Sequence, residues 1–180
     1  MATHGQGSEG RITLVLGGAR SGKSRRAEEL VAAMGGQPVY LATAAAGDAE
    51  MAARIAHHRA RRGHHWHTVE EPLELPAALA RHATPQAAVL VDCLTLWLSN
   101  LYGAGRDVLD ATNALIQALH TAQGPVVLVS NEVGLGIVPD NALARRFRDD
   151  AGRLNQAVAE IATHVVFVAA GLSLTLKPAS

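Results

Sequence analysis

Short runs of apolar residues recur along the chain and predict the strands of a sheet. Five of them are almost continuously apolar, which is typical of strands that are covered on both faces in a parallel sheet. They occupy residues 12–16, 39–42, 88–92, 126–130 and 165–169. A sixth run, 172–176, follows the fifth too closely for a parallel crossover, so we expect an antiparallel strand there.

Helical patterns between these runs complete the arrangement. We predict helices over residues 23–34, 48–62 (with Asp48 as N-cap), 108–122 and 141–162, the last weakened by Gly152. Strands that alternate with helices predict an α/β doubly wound fold with helices on both faces of the sheet. Residues 64–76 and 132–140 are expected to be loops. We expect one domain over residues 11–180, after a flexible tail at 1–10.

Composition and charge exclude several classes of protein. The 180 residues include 16 basic and 16 acidic side chains, so the formal net charge is zero. No overall positive field is available to hold nucleic acid or an anionic membrane, and we expect neither as a partner. The single cysteine, Cys93, excludes an internal disulfide. Because no segment has the pattern of a secretion signal or a membrane span, we expect a cytoplasmic protein.

The strongest chemical signal is a phosphate-binding loop between the first predicted strand and the first predicted helix. The segment fits G-x-x-x-x-G-K-[ST] in the structural context that this motif requires. It consists of Gly17, Gly18, Ala19, Arg20, Ser21, Gly22, Lys23 and Ser24. The glycines let successive N–H groups point at a phosphate beside the positive end of the helix. We expect Lys23 to reach the β- and γ-phosphates and Ser24 to ligate Mg²⁺.

An acidic residue, Asp92, ends the third predicted strand. In P-loop proteins an acid at this point holds Mg²⁺ directly or through water, so Asp92 is the second candidate metal ligand. The alternative is that Asp92 caps the segment that follows.

Two adjacent histidines lie on the second predicted helix. At about 100° per residue, His58 shares a face with Met51, Ile55 and Arg62, whereas His57 lies on the charged face. A partly packed histidine beside arginines suits a phosphoryl or nucleotidyl acceptor. Spacing alone, however, favours an ordinary amphipathic helix with a solvated basic face.

Three segments together resemble one known family. They read GGARSGKS, DAEMAARIAHHRARRG and NEVGLGIVPDNALARRFRDDAGRLNQ. From residue 12 to 177 the chain is similar to the bifunctional adenosylcobinamide kinase / adenosylcobinamide-phosphate guanylyltransferases of cobalamin biosynthesis. The resemblance implies a single-domain, RecA-like P-loop fold and assembly into homo-oligomers.

The resemblance also implies two reactions. In the first, ATP or GTP phosphorylates adenosylcobinamide. In the second, GMP passes from GTP through a histidine to the new phosphate, which gives adenosylcobinamide-GDP and pyrophosphate. The resemblance assigns this histidine to His58, in agreement with the shared helical face. It also implies nucleotide contacts at Ala42, Thr43, Ala44, Arg59, Ala60, Arg61, Arg62, Glu70 and Asp92.

The end of the fourth predicted strand carries Asn131 and Glu132. Open α/β sheets bind ligands at this edge, so the two residues are candidates for the site. The helix that follows carries four arginines: Arg145, Arg146, Arg148 and Arg153. We expect them to contact substrate phosphate or a neighbouring subunit, and the alternative is a solvated helix face.

Two other functions compete with the bifunctional enzyme. One is a P-loop small-molecule kinase without nucleotidyl transfer. The other is a RecA-like ATPase that acts on nucleic acid, which the zero net charge and the scarcity of aromatic residues disfavour.

Overall fold

The computed structural model describes residues 12–44 and 65–177. The strands in these ranges are β1 (Ile12–Gly17), β2 (Gln37–Ala42), β3 (His67–Glu70), β4 (Ala87–Asp92), β5 (Val126–Asn131), β6 (His164–Ala169) and β7 (Leu172–Lys177). The helices are α1 (Lys23–Met34), α2 (Leu75–His82), α3 (Leu94–Gly103), α4 (Val108–Thr121) and α5 (Ala142–Ile161).

All seven described strands form one sheet, in the order β3-β2-β4-β5-β1-β6-β7. Strands β1 to β6 pair in parallel, and β7 pairs antiparallel with β6. The predicted mostly parallel sheet with an antiparallel last strand is therefore confirmed. The carboxyl ends of β1 to β6 lie at one edge of the sheet, which is where ligands bind in open α/β folds.

Helices cover both faces of the sheet, as predicted. Helix α1 packs on one face, against residues such as Val15, and α2 to α5 pack on the other, against residues such as Leu14. Both side chains are fully buried. Burial of such a side chain stabilises the fold by about 1.5–3 kcal/mol, so the near-continuous apolar pattern of β1 follows from its two covered faces.

The structure corrects the prediction of a loop over residues 64–76. Strand β3 lies inside this range and pairs in parallel with β2, from His67 opposite Val39 to Glu70 opposite Ala42. The apolar pattern does not predict this strand, because it forms the edge of the sheet and both of its ends are exposed and polar. The end of the same range already belongs to α2, which begins at Leu75 with Pro76 in its first turn. Residues 132–140 contain no helix or strand, in agreement with the sequence.

Helix α5 is continuous through Gly152, although a glycine costs about 1 kcal/mol relative to alanine in a helix. Asn141 caps it, and its side chain accepts a hydrogen bond from Ala144 N at 2.7 Å. The helix predicted over residues 48–62 and the predicted tail lie outside the described residues. In the part that the structure describes, no helix is long and apolar enough to cross a lipid bilayer.

Candidate active site

The phosphate loop follows the end of β1 and leads directly into α1. Arg20 and Gly22 have left-handed backbone conformations, with φ of 56° and 98°. At Gly17 a Cβ atom would lie 2.5 Å from both Ser21 Oγ and Val168 O, so only glycine fits there. Ser21 Oγ is buried and has no hydrogen-bond partner among the described residues. Because buried polar groups are normally hydrogen-bonded, we expect this hydroxyl to form a hydrogen bond with a bound ligand.

Lys23 is held inside the loop to which it belongs. Its side chain is 9% exposed, and Nζ donates a hydrogen bond to Gly18 O at 3.0 Å. Burial lowers the pKa of Lys23, and the charge of the nearby Asp92 carboxylate acts in the opposite direction. A cation kept at the loop with little water around it interacts strongly with an incoming phosphate.

Asp92 lies close to the phosphate loop at the carboxyl end of β4. Its Oδ2 accepts a hydrogen bond from the Tyr40 hydroxyl at 2.7 Å, which fixes the orientation of the carboxylate. Cys93, and not Asp92, occupies the N-cap of α3, so the alternative role of Asp92 as a helix cap is wrong. Burial raises the pKa of the Cys93 thiol to about 12, so this thiol stays protonated at neutral pH.

Thr43 supports the turn that carries Asp92 and Cys93. Its hydroxyl donates to Cys93 O at 2.7 Å and accepts from Cys93 N at 2.8 Å, while Thr43 N donates to Asp92 O at 3.0 Å. The carbonyl oxygen of Thr43 accepts a hydrogen bond from Asn100 Nδ2 at 2.7 Å. The side chain of Thr43 is fully buried, whereas Ala44 is partly exposed. Of the trio 42–44, Ala44 is therefore the residue whose side chain is partly open to solvent, and the nucleotide contacts of all three stay predictions.

The sheet register aligns several of the predicted residues. Ala42 lies opposite Glu70 on one side and opposite Asp92 on the other. Glu70 is exposed at the end of the outer strand. The site residues predicted from three separate strands are thus gathered at one edge, although Glu70 lies at its far end.

The end of β5 meets the phosphate loop directly. Asn131 lies opposite Gly17, and Glu132 N donates a hydrogen bond to Gly17 O at 3.1 Å. The sequence predicts both residues at this edge, but it does not predict Thr95 and Asn155, which hydrogen-bond to Asn131. These two supports were not predictable because they come from helices distant in sequence.

The four arginines of α5 all have contacts within the chain. Arg145 donates to Pro139 O and Asp140 O, Arg148 pairs with Asp149, and Arg146 and Arg153 both pair with Asp150. Exposed pairs of this kind stabilise a protein by at most about 1 kcal/mol, so they leave the arginines available to other partners.

Part of the predicted site lies outside the described residues. This part includes both histidines and the basic stretch that follows them: His57, His58, Arg59, Ala60, Arg61 and Arg62. Their roles stay predictions.

Comparisons with known proteins show what the chain is similar to. Residues 13–176 match the family model described as cobinamide kinase / cobinamide phosphate guanyltransferase. The chain is 54% identical to the bifunctional adenosylcobalamin biosynthesis protein CobP of Pseudomonas aeruginosa, over 91% of this chain and 96% of that protein. It is 45% identical to the bifunctional adenosylcobalamin biosynthesis protein CobU of Escherichia coli, over 92% of this chain and 99% of that protein. The protein with the same name in Salmonella typhimurium is 43% identical over the same shares.

Proposed function

Because this chain belongs to the cobinamide kinase / cobinamide phosphate guanyltransferase family, we propose that it converts adenosylcobinamide to adenosylcobinamide-GDP in two steps. At the level of the family it is a bifunctional cobinamide kinase and guanylyltransferase of adenosylcobalamin biosynthesis. The proposal adds the adenosyl form of the substrate, ATP or GTP as phosphoryl donor, and a guanylyl-histidine intermediate.

The phosphate loop with its buried lysine is the observation that carries the kinase step. The acceptor hydroxyl oxygen attacks the γ-phosphorus, and the bond from that phosphorus to the oxygen that bridges it to the β-phosphate breaks. Charge then grows on the oxygens around the γ-phosphorus and on the leaving nucleotide. Lys23 is already oriented at the loop, so its charge stabilises this transition state without rearrangement.

Mg²⁺ is proposed to bind with the nucleotide, held by Ser24 and Asp92. The donor set fits, because Mg²⁺ prefers oxygen ligands and commonly takes only one or two from the protein together with substrate phosphates. Tyr40 orients Asp92 through the hydrogen bond to Oδ2, which leaves Oδ1 for the metal or its water. When bound, Mg²⁺ neutralises part of the phosphate charge.

The second step is proposed to pass through His58. A neutral ring nitrogen attacks the α-phosphorus of GTP, pyrophosphate leaves, and the ring loses a proton. An oxygen of cobinamide phosphate then attacks the same phosphorus and releases the histidine. An unperturbed histidine is mostly neutral above pH 7, so the attack depends on positioning more than on deprotonation. Arg59, Arg61 and Arg62 are proposed to neutralise charge on the phosphates.

Mass spectrometry after incubation with GTP and Mg²⁺ tests the histidine step. We expect the wild type to gain the mass of one GMP, His57→Ala to gain it too, and His58→Ala to lack it while still phosphorylating adenosylcobinamide. The bond is a phosphoramidate, so the adduct should be labile in acid and survive alkali. An adduct on His58→Ala but not on His57→Ala would move the role to His57. If no variant and no wild type gained the mass, the chain would be a kinase without nucleotidyl transfer.

The chain is also proposed to form homo-oligomers, as the family resemblance implies. Three leucines on the edge strand β7 support this: Leu172, Leu174 and Leu176 are each more than half exposed. They alternate along the strand, so they share one face. The location of the protein in the cytoplasm stays a prediction. The proposed use of GTP and ATP as substrates supports it.

A further inference from the structure

The kinase step requires an acceptor hydroxyl to lose a proton, and the residues assigned so far include no base for it. Glu132 is an acid at the carboxyl end of β5, directly beside the phosphate loop. Its backbone N–H donates to Gly17 O at 3.1 Å, and Gly17 is the first residue of that loop. Glu132 therefore lies one strand away from the loop at which the triphosphate is expected to bind.

Strand order separates Glu132 from the other acids at the same edge. Neighbouring strands lie about 4.8 Å apart, so β5 is about 5 Å from β1, β4 about 10 Å and β3 about 19 Å. Asp92, on β4, is engaged by Tyr40 and is proposed to hold Mg²⁺. Glu70, on β3, is too distant to reach a hydroxyl at the γ-phosphate. Among the acids at the described strand ends, Glu132 is therefore the one that remains close to the loop.

The backbone at Glu132 is fixed by contacts from three parts of the fold. In addition to the bond with the phosphate loop, Asn131 N donates to Thr95 Oγ1 at 2.8 Å, from α3. Asn131 O accepts a hydrogen bond from Asn155 Nδ2 at 3.3 Å, from α5. A catalytic group needs a supporting shell that holds it in position, and these bonds provide one.

The side chain of Glu132 has one oxygen held and one available. Oε1 accepts a hydrogen bond from Gly134 N at 2.6 Å, which fixes the plane of the carboxylate. In the part of the chain that the structure describes, no contact to Oε2 is found, and the residue is only partly buried. An oriented carboxylate with a free oxygen, open to solvent and substrate, has the geometry of a general base.

We propose that Glu132 is the general base of the kinase step. Its Oε2 accepts the proton of the acceptor hydroxyl while the hydroxyl oxygen bonds to the γ-phosphorus. The bond between that phosphorus and the β–γ bridging oxygen breaks, and its electron pair stays on the nucleoside diphosphate. The inference rests on the proposed function, because it concerns the phosphorylation of adenosylcobinamide.

The isosteric variant Glu132→Gln removes the basic carboxylate but keeps the side-chain hydrogen bond that holds the loop. A glutamine carbonyl still accepts the hydrogen bond from Gly134 N, but an amide does not take up the hydroxyl proton. General base catalysis contributes about 10²–10⁴-fold, so we expect kcat for adenosylcobinamide phosphorylation to fall at least a hundredfold relative to GMP adduct formation on the same preparation.

Asp140→Asn is the matched control, because Asp140 is an exposed acid at the other end of the same loop. It should leave both activities as in wild type. Kinase turnover of Glu132→Gln within threefold of wild type would overturn the assignment. An equal loss of turnover and adduct formation would also overturn it, because Glu132 would then serve the nucleotide site as a whole. A wild type that does not phosphorylate adenosylcobinamide with ATP or GTP would instead refute the proposed function.

Discussion

At the scale of single residues, the orientation of Asp92 by Tyr40 leads to a graded prediction. Asp92→Asn removes the charge that is proposed to hold Mg²⁺, and Tyr40→Phe removes the hydroxyl that donates the hydrogen bond of 2.7 Å to Oδ2. Loss of a group that orients a metal ligand typically costs about 10–100-fold in metal affinity, and loss of the ligand's own charge costs at least as much, so we expect the Mg²⁺ concentration for half-maximal kinase rate to rise about tenfold or more in Asp92→Asn. Tyr40→Phe should show a smaller rise.

Titration of the kinase rate with Mg²⁺ at saturating nucleotide measures both effects. Glu29→Gln serves as a control, because Glu29 is an acid on α1 that pairs with the neighbouring Arg25 and Arg26. If the Mg²⁺ titration of Asp92→Asn coincided with that of wild type, the carboxylate would have no role in holding the metal.

The sequence predicted side chains whose role is set by a local motif. Lys23 and Ser24 follow from the spacing of the phosphate loop, and the loop has the expected position between β1 and α1. The place of Thr43 was not predictable, because its partners Cys93 and Asn100 lie about fifty residues further along the chain. Local patterns do not encode contacts of this kind.

At the scale of elements, the turn between β6 and β7 contacts the phosphate loop. Gly171 N donates to Ser21 O at 2.8 Å, and Gly171 has a φ of 77°. Gly171→Ala places a side chain on a left-handed residue, which costs about 1–2 kcal/mol. We expect this variant to lose that amount of unfolding free energy and also to bind GTP more weakly.

Gly105→Ala is the matched control. Gly105 also has a positive φ, 63°, and an added Cβ would have open space at either glycine. Urea unfolding should show similar losses of stability for both variants, whereas calorimetric titration with GTP should show weaker binding only for Gly171→Ala. Equal GTP affinities would mean that the hairpin turn does not support the loop.

The elements differ in how well the sequence predicted them. The central strands were evident because each is covered on both faces and is therefore apolar throughout. Strand β3 lacks that pattern since it is an edge strand with exposed ends. The sequence pattern does not predict helix α3, although Leu94, Trp97, Leu98 and Leu101 are buried at helical spacing. Here the additional Leu96 makes the run nearly continuous and obscures the period.

At the scale of the whole molecule, the exposed face of β7 predicts self-association. Leu174 lies opposite Phe167, so the leucine row continues the sheet face on which α2 to α5 pack. Contiguous exposed apolar surface of this kind marks interaction sites. We expect Leu174→Asp to dissociate the oligomer, and light scattering should then give the mass of a single chain.

Leu109→Asp provides the comparison for this experiment. Leu109 is 69% exposed and Leu174 is 61% exposed, but Leu109 lies in the first turn of α4 and not on β7. It should leave the oligomer intact. A wild type with the mass of one chain would remove the proposal of a homo-oligomer, and dissociation by both variants would remove β7 as its interface.

Strand β1 cannot pair with its neighbours in the sheet until late in synthesis, because both neighbours lie far along the chain. Ile12 pairs with Val126 and Thr13 with His164, so the strand that precedes the phosphate loop acquires its neighbours only when the last third of the chain has been made. Such distant pairing is slow to form and leaves a nascent chain exposed to aggregation. Once β5 and β6 are in place, a bound nucleotide stabilises the folded form in proportion to RT ln(1 + [L]/Kd). Nucleotide binding therefore stabilises chains in which β1 is already paired with β5 and β6, and it does not stabilise chains that still lack these strands.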